Sequence, residues 1–229
     1  MNNNVPVITI DGPTASGKGT ICQLVAERLN WHILDSGSLY RLVALAALQQ
    51  NASLDDESLI KQIAQTLDVK FELTHNHNND IVINLSDKDV TAEIRREEVG
   101  NAASQIAVLV SVRQALLVRQ RAFRKAPGLV ADGRDMGTVV FPDAILKIFL
   151  TASAEERAKR RYKQLSDKGV SVTLADLFAD IQQRDERDTN RAAAPLIAAE
   201  DAYQLDTTEM TPQAVVERVI QMYTSRVSI

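Results

Sequence analysis

The sequence predicts an α/β fold, a mostly parallel sheet flanked by helices, on three observations. Short β-branched or apolar runs recur at residues 5–10, 32–34, 129–131 and 145–150, too brief for helices and bounded by turn residues. Between them apolar residues return at helical spacing: Ile21, Leu24, Val25 and Leu29 after the first run, Leu39, Leu42, Val43 and Ala46 after the second. The first run ends in Asp11-Gly12-Pro13, a strand entering a Gly-rich turn. Strands that alternate with helices pair in parallel, because each crossover must return to the same end of the sheet.

Several helix starts carry capping signals. Ser153 is followed three residues on by Glu156, Thr173 by Asp176, and Thr211 by Pro212 at the first helical position. A last helix is expected from Pro212 to about Arg226, after a short strand around Gln204, Leu205 and Asp206. One stretch breaks the alternation. Val69, Phe71 and Leu73, then Ile81, Ile83 and Leu85, are spaced by two around the polar residues His75 to Asp80. That is a hairpin, and it reads as a small antiparallel insert outside the main sheet.

Composition narrows the function. With 229 residues and 45% apolar content, one α/β domain with insertions accounts for the whole chain, residues 1–229. The formal net charge of -4 gives no global positive field for nucleic acid or an anionic membrane, and 4% aromatic content is poor for stacking bases. Cys22 is the sole cysteine, which excludes an intramolecular disulfide and a thiolate metal cluster and fits a reducing cytoplasm. Its helical position suggests packing over chemistry. The first four residues lack the basic and apolar regions of an export signal, and no apolar run is long enough for a bilayer. His32, His75 and His77 form no metal-ligand pattern. The expectation is a cytoplasmic protein, a monomer, with small-molecule substrates and neither nucleic acid nor membrane as partner.

The chemistry is carried first by Gly12-Pro13-Thr14-Ala15-Ser16-Gly17-Lys18-Gly19-Thr20, placed where a strand hands over to a helix. Glycines let successive backbone N–H groups face a phosphate, the helix N-terminus adds its positive end, and Lys18 can reach the β- and γ-phosphates. This is a P-loop, hence a nucleoside triphosphate site and a P-loop NTPase fold. The general motif has Ser or Thr directly after the lysine; here Gly19 intervenes and Thr20 follows. At this point the chain resembles nucleoside monophosphate kinases.

Two further segments follow strands and so lie at the carboxyl edge of the sheet, where open α/β folds bind ligands. They are Asp35-Ser36-Gly37-Ser38-Leu39-Tyr40-Arg41 and Ala131-Asp132-Gly133-Arg134-Asp135-Met136-Gly137-Thr138. A third, Arg184-Asp185-Glu186-Arg187-Asp188-Thr189-Asn190-Arg191, places Arg184, Asp188 and Arg191 on one face if it is helical. Together with the Gly-Lys-Gly-Thr loop, these segments resemble the bacterial cytidylate kinase family over nearly the whole chain.

The resemblance implies transfer of the γ-phosphoryl group of ATP to CMP or dCMP, with Mg²⁺. It implies that Ser36, Ser104, Arg113 and Asp135 surround the cytosine, that Arg184 and Asp188 contact the ribose, and that Arg41, Arg134 and Arg191 hold the acceptor phosphate. Lys18, Arg134, Arg184, Asp188 and Arg191 form the expected catalytic set, and Thr20 together with Asp132 the expected Mg²⁺ contacts, direct or through water. By residue type alone, Ser104 reads as a helix serine and Arg113 as a surface arginine; their roles rest on the resemblance. The resemblance also implies an acceptor-binding insert at about residues 62–98 and a helical lid at about 154–191 that includes Arg157, Arg160 and Arg161.

Two other readings stay open on sequence grounds. Another small-molecule kinase, acting on AMP, UMP or shikimate, would carry the same phosphate loop. A P-loop switch that hydrolyses nucleotide slowly is the reading from a different class; the Asn-Lys-x-Asp segment of guanine-nucleotide switches does not occur in the chain.

Overall fold

A computed structural model describes residues 5–73, 81–167 and 169–227. In chain order the elements are β1 (Val7–Asp11), α1 (Lys18–Leu29), β2 (His32–Asp35), α2 (Ser36–Gln49), α3 (Glu57–Thr66), β3 (Val69–Leu73), β4 (Ile81–Leu85), β5 (Lys88–Asp89), α4 (Glu97–Ile106) and α5 (Val110–Arg121). Then follow β6 (Leu129–Gly133), β7 (Leu146–Thr151), α6 (Ala154–Ser166), α7 (Leu174–Asn190), β8 (Tyr203–Asp206) and α8 (Pro212–Val227). They group into two compact units. One holds the chain up to Asp35 together with everything from Gln120 onward, and the other runs from Ser36 to Arg119.

The first unit is built on a five-stranded sheet in the order β2-β6-β1-β7-β8, every pairing parallel. All five residues of β1 are buried, which is why Val7, Ile8, Thr9 and Ile10 read as a continuous β-branched run and not as an alternation of apolar and charged residues. Ile8, Ile10, Val130, Leu146, Ile148 and Leu150 from the sheet pack with Ile21, Val25, Val215 and Val219 from α1 and α8. Each such side chain fully removed from water stabilises the fold by about 1.5–3 kcal/mol. Cys22 lies in the same cluster, fully buried, and burial pushes its thiol well above the usual range. It is a packing residue, as its helical position suggested.

The capping signals act as read. Ser153 Oγ accepts from Glu156 N at 3.2 Å, Thr173 Oγ1 from Asp176 N at 3.1 Å, and Thr211 Oγ1 from Ala214 N at 3.3 Å. Each satisfies one of the N–H groups that a helix start leaves without an intrahelical partner. Glu156 departs from the reciprocal box: its carboxylate pairs with Arg160 at 3.0 Å one turn further on.

In the second unit Leu39, Leu42, Val43 and Ala46 of α2 are all buried, the face that their spacing predicts. β3 and β4 pair antiparallel with Val69 opposite Leu85, so the hairpin exists; its turn at residues 75–80 lies outside the described residues. A third strand, β5, joins β4 through Ser86 and Asp87, whose φ values of 49° and 62° form the two-residue turn that matches strand twist. Two charged residues carry no alternation, so β5 left no periodic signal in the sequence.

Candidate functional site

The phosphate loop joins β1 to α1, and its backbone explains its residues. Gly12 has φ 150°, and a Cβ there would sit 2.1 Å from Leu150 O on the neighbouring strand, so no side chain fits. Gly17 takes the N-cap position of α1 at φ 92°, without a side chain to cap the helix, and the first turn carries no acidic residue. The N–H groups at this helix start therefore stay available to an anion. Ala15 also has positive φ, 57°.

Lys18 is 6% exposed, and its Nζ donates to Pro13 O at 2.7 Å, folding the ammonium back onto its own loop. Burial lowers its pKa to about 8, with repulsion from Arg134 in the same direction and Asp132 opposing. A buried ammonium held by a carbonyl is under-compensated, and an incoming phosphate supplies the missing negative charge.

Asp132 stands near the carboxyl end of β6, in register with Asp35 of β2 and Ile10 of β1. Its Oδ2 lies 3.5 Å from where a Cβ on Gly19 would sit, so it borders the loop directly. Burial pushes its carboxyl up to about 7, while Lys18 and Arg134 pull it down. Its neighbour Arg134 pairs with Asp188 of α7 at 2.7 Å, the two side chains 27% and 10% exposed. Burial works against both charges, and each holds the other: Arg134 stays above its ordinary value and Asp188 below its own. Arg184 lies one turn before Asp188 on α7, and both are buried. Arg191 is buried too, but it sits beyond the helix as its C-cap, where Nε donates to Ala194 O. The expected single helical face thus covers Arg184 and Asp188; Arg191 is delivered by the turn that follows.

Two arginines of α6 act on the phosphate loop itself. Arg157 forms a bidentate pair with Asp185, 3.0 and 2.6 Å, and also donates to Ala152 O at 3.0 Å and to Thr14 O at 3.3 Å. Arg160 donates to Thr207 O at 2.6 Å and to Ser16 O at 3.4 Å. Arg161 donates to Gln164 Oε1 at 2.6 Å on the exposed side. A basic helix face could be read in the sequence, but its grip on loop carbonyls about 143 positions away could not.

Asp11, which the sequence offered only as a turn residue, is 5% exposed and accepts from two backbone N–H groups, Met136 at 2.8 Å and Gly137 at 2.8 Å. Those residues open a π-helical turn, Met136–Val140, whose N-cap residue is Asp135, 4% exposed. Burial raises the Asp11 carboxyl to about 6, against the two backbone bonds that lower it.

In the second unit Ser36 opens α2 and is buried, and Arg41 donates to Ile94 O at 2.9 Å. Arg113 donates to Ala107 O at 3.2 Å. Ser104 Oγ is buried with no hydrogen-bond partner among the described residues. A buried hydroxyl without a partner costs about 1–3 kcal/mol, which a ligand can recover.

A family model described as cytidylate kinase matches residues 8–225. Proteins named "Cytidylate kinase" match over nearly their whole length. That of Aeromonas salmonicida is 57% identical over 220 residues, covering 96% of this chain and 94% of the relative. That of Stutzerimonas stutzeri is 57% identical over 226 residues, covering 99% and 98%. That of Shewanella frigidimarina is 53% identical over 229 residues and covers all of both chains. Matched end to end at this identity, with its phosphate loop and arginine-bearing segments in place, the chain belongs to the cytidylate kinase family.

Proposed function

We propose that this chain transfers the γ-phosphoryl group of ATP to CMP or dCMP, giving ADP and CDP or dCDP, by direct in-line displacement. The observation that carries the reading is Lys18, a nearly buried ammonium in a Gly-rich loop at a helix start, whose Nζ donates to Pro13 O and Ser16 Oγ of its own loop. ATP occupies the loop from Gly12 to Thr20, with backbone N–H groups and Lys18 on the β- and γ-phosphates. The acceptor phosphate is a monoester with a second pKa of about 6, so its attacking oxygen is already anionic at neutral pH and no general base is required. Catalysis is then alignment of two polyanions with neutralisation of the charge on the transferring group. Arg41, Arg134 and Arg191 hold the acceptor phosphate, while Arg184 and Asp188 contact the ribose.

An oxygen donor set suits Mg²⁺, and Thr20 with the Asp132 carboxylate beside Gly19 provides one. When bound, the ion neutralises charge on the β- and γ-phosphates.

Cytosine is surrounded by Ser36, Ser104, Arg113 and Asp135. The carboxylate of Asp135 accepts from N4 of cytosine, and Arg113 donates to the opposite edge. Uracil presents an oxygen where cytosine presents N4, leaving Asp135 facing an acceptor; sites built on such bonds discriminate by about 10⁴. Ser104 Oγ, buried without a described partner, supports a ligand contact at that residue. The insert at about 62–98 serves the acceptor and residues at about 154–191 form a lid, within one kinase domain. We assign the protein to the cytoplasm as a monomer that acts on small molecules, without nucleic-acid or membrane partners.

The test is ATP-to-ADP turnover with magnesium and CMP, dCMP, UMP, AMP, GMP or shikimate as acceptor, beside a no-acceptor control. Fast turnover confined to CMP and dCMP is expected. Preference for another acceptor keeps the kinase and removes the cytosine assignment; slow hydrolysis independent of acceptor favours a switch. Asp135→Ala is expected to lower kcat/KM for CMP by about 10² or more while KM for ATP stays within about twofold, as expected for loss of an acceptor contact alone.

A further inference from the structure

The phosphate loop and the segment that carries Arg134 and Asp135 are joined by one side chain. Asp11 ends β1 immediately before Gly12, and its two carboxylate oxygens each take one backbone N–H: Oδ1 from Met136 at 2.8 Å, Oδ2 from Gly137 at 2.8 Å. These N–H groups open the π-helical turn that follows β6, so they have no partner inside that turn. Asp135, at the N-cap position, makes no side-chain cap bond to it. Asp11 performs the capping from a neighbouring strand.

The packing around Gly137 is consistent with this. A Cβ there would come within 2.9 Å of Thr9 Oγ1, 3.2 Å of Lys147 Cδ and 3.3 Å of Asp11 Oδ2, so the backbone approaches β1 as closely as only glycine permits. With two donors facing it, the group must be a carboxylate: an amide would turn an N–H towards one of them.

We propose that Asp11 is a positioning residue for acceptor recognition: through Met136 and Gly137 it fixes the backbone that presents Arg134 and Asp135, so that nucleobase selectivity depends on the last residue of the strand that carries the phosphate loop. The proposal rests on the assignment of Asp135 to cytosine. A purely structural role would weaken both substrates alike, whereas a positioning role separates them.

Asp11→Asn keeps the size and one acceptor oxygen but sets a donor against a backbone donor. Steady-state kinetics of this variant are expected to show KM for CMP raised about tenfold, the CMP-over-UMP ratio of kcat/KM lowered about tenfold, and KM for ATP within about twofold; a tenfold loss corresponds to 1.4 kcal/mol, the order of one buried hydrogen bond. An unchanged CMP-over-UMP ratio, or KM values for CMP and ATP that rise together, overturns the proposal. Should the variant fail to fold, amide hydrogen exchange in the unaltered protein decides. Met136 and Gly137 N–H are expected to be as protected as the amides of β6, and exchange at free-chain rates overturns the proposal. Asp135→Ala measured beside it separates the two levels. A selective loss for CMP there with none in Asp11→Asn removes only the positioning role, and an unchanged CMP-over-UMP ratio in Asp135→Ala removes the cytosine assignment and this proposal with it.

Discussion

β1 and β5 mark the extremes of the two sheets. Every residue of β1 is buried and it pairs on both sides, with β6 and β7; both residues of β5 are exposed and it pairs with β4 alone. The difference shows how each region is specified. β1 is fixed from both faces and both edges, so Asp11 at its carboxyl end, and Gly12 directly after it, are held in place, as a loop that presents backbone N–H groups to phosphate requires. The smaller sheet is held by the buried side chains of β4, Ile83 and Leu85, with Val90 beside them, and by a two-residue turn. Positional tolerance should therefore differ sharply between the two.

The largest effect is expected at the donor loop. Gly12→Ala places a methyl 2.1 Å from Leu150 O at a φ that L residues rarely adopt, and is expected to cost more than about 4 kcal/mol, read as a collapse of the urea midpoint. A direct comparison of the sheets comes next. Ile10→Ala, fully buried in β1, is expected to cost about 3–5 kcal/mol, and Ile83→Ala, 6% exposed in β4, about 2. Equal losses would show that the small sheet is as tightly packed as the large one.

Asp11 sharpens the comparison through pH. Its carboxyl is raised from 3.8 to about 6, so between those values the folded state binds a proton that the unfolded chain has released. Stability from this group is present below about pH 4, falls as pH rises to about 6, and changes no further above that. The fall is on the order of 2 kcal/mol and should be absent from Asp11→Asn, measured as the change in urea midpoint between pH 4 and pH 7 relative to the unaltered protein. The smallest effect is at the turn of the small sheet. Asp87 pairs with Lys70 at 2.7 Å, but the side chains are 77% and 56% exposed, and Asp87→Asn should leave the thermal midpoint unmoved.

Much of the donor side was legible because its signals are local. A β-branched run, a glycine at positive φ, a lysine and a helical apolar stripe are all decided within about twenty positions. On the acceptor side residue types could be named, and Arg134, Asp135, Arg184 and Asp188 could be assigned only by resemblance, because their partners are distant in sequence. Arg191 shows the limit: spacing put it on the helical face with Arg184 and Asp188, and the chain instead ends α7 one residue earlier. β5 was missed for the opposite reason, since its two charged residues form a strand only because β4 offers a free edge.

By itself the sequence determined the phosphate loop, the alternation of strands and helices, and the capped starts of α6, α7 and α8, all set by backbone sterics, capping chemistry and hydrophobic periodicity within a single element. Only the tertiary structure decided that β6 lies beside β1, and from that neighbour relation come the hydrogen bonds of Asp11 to residues 125 and 126 positions away. The Arg134–Asp188 pair and the grip of Arg157 on Thr14 O are likewise decided by which distant elements meet. A side chain's partner is chosen by which strands and helices meet, and that choice is made by burial of the whole core and not by any segment of it.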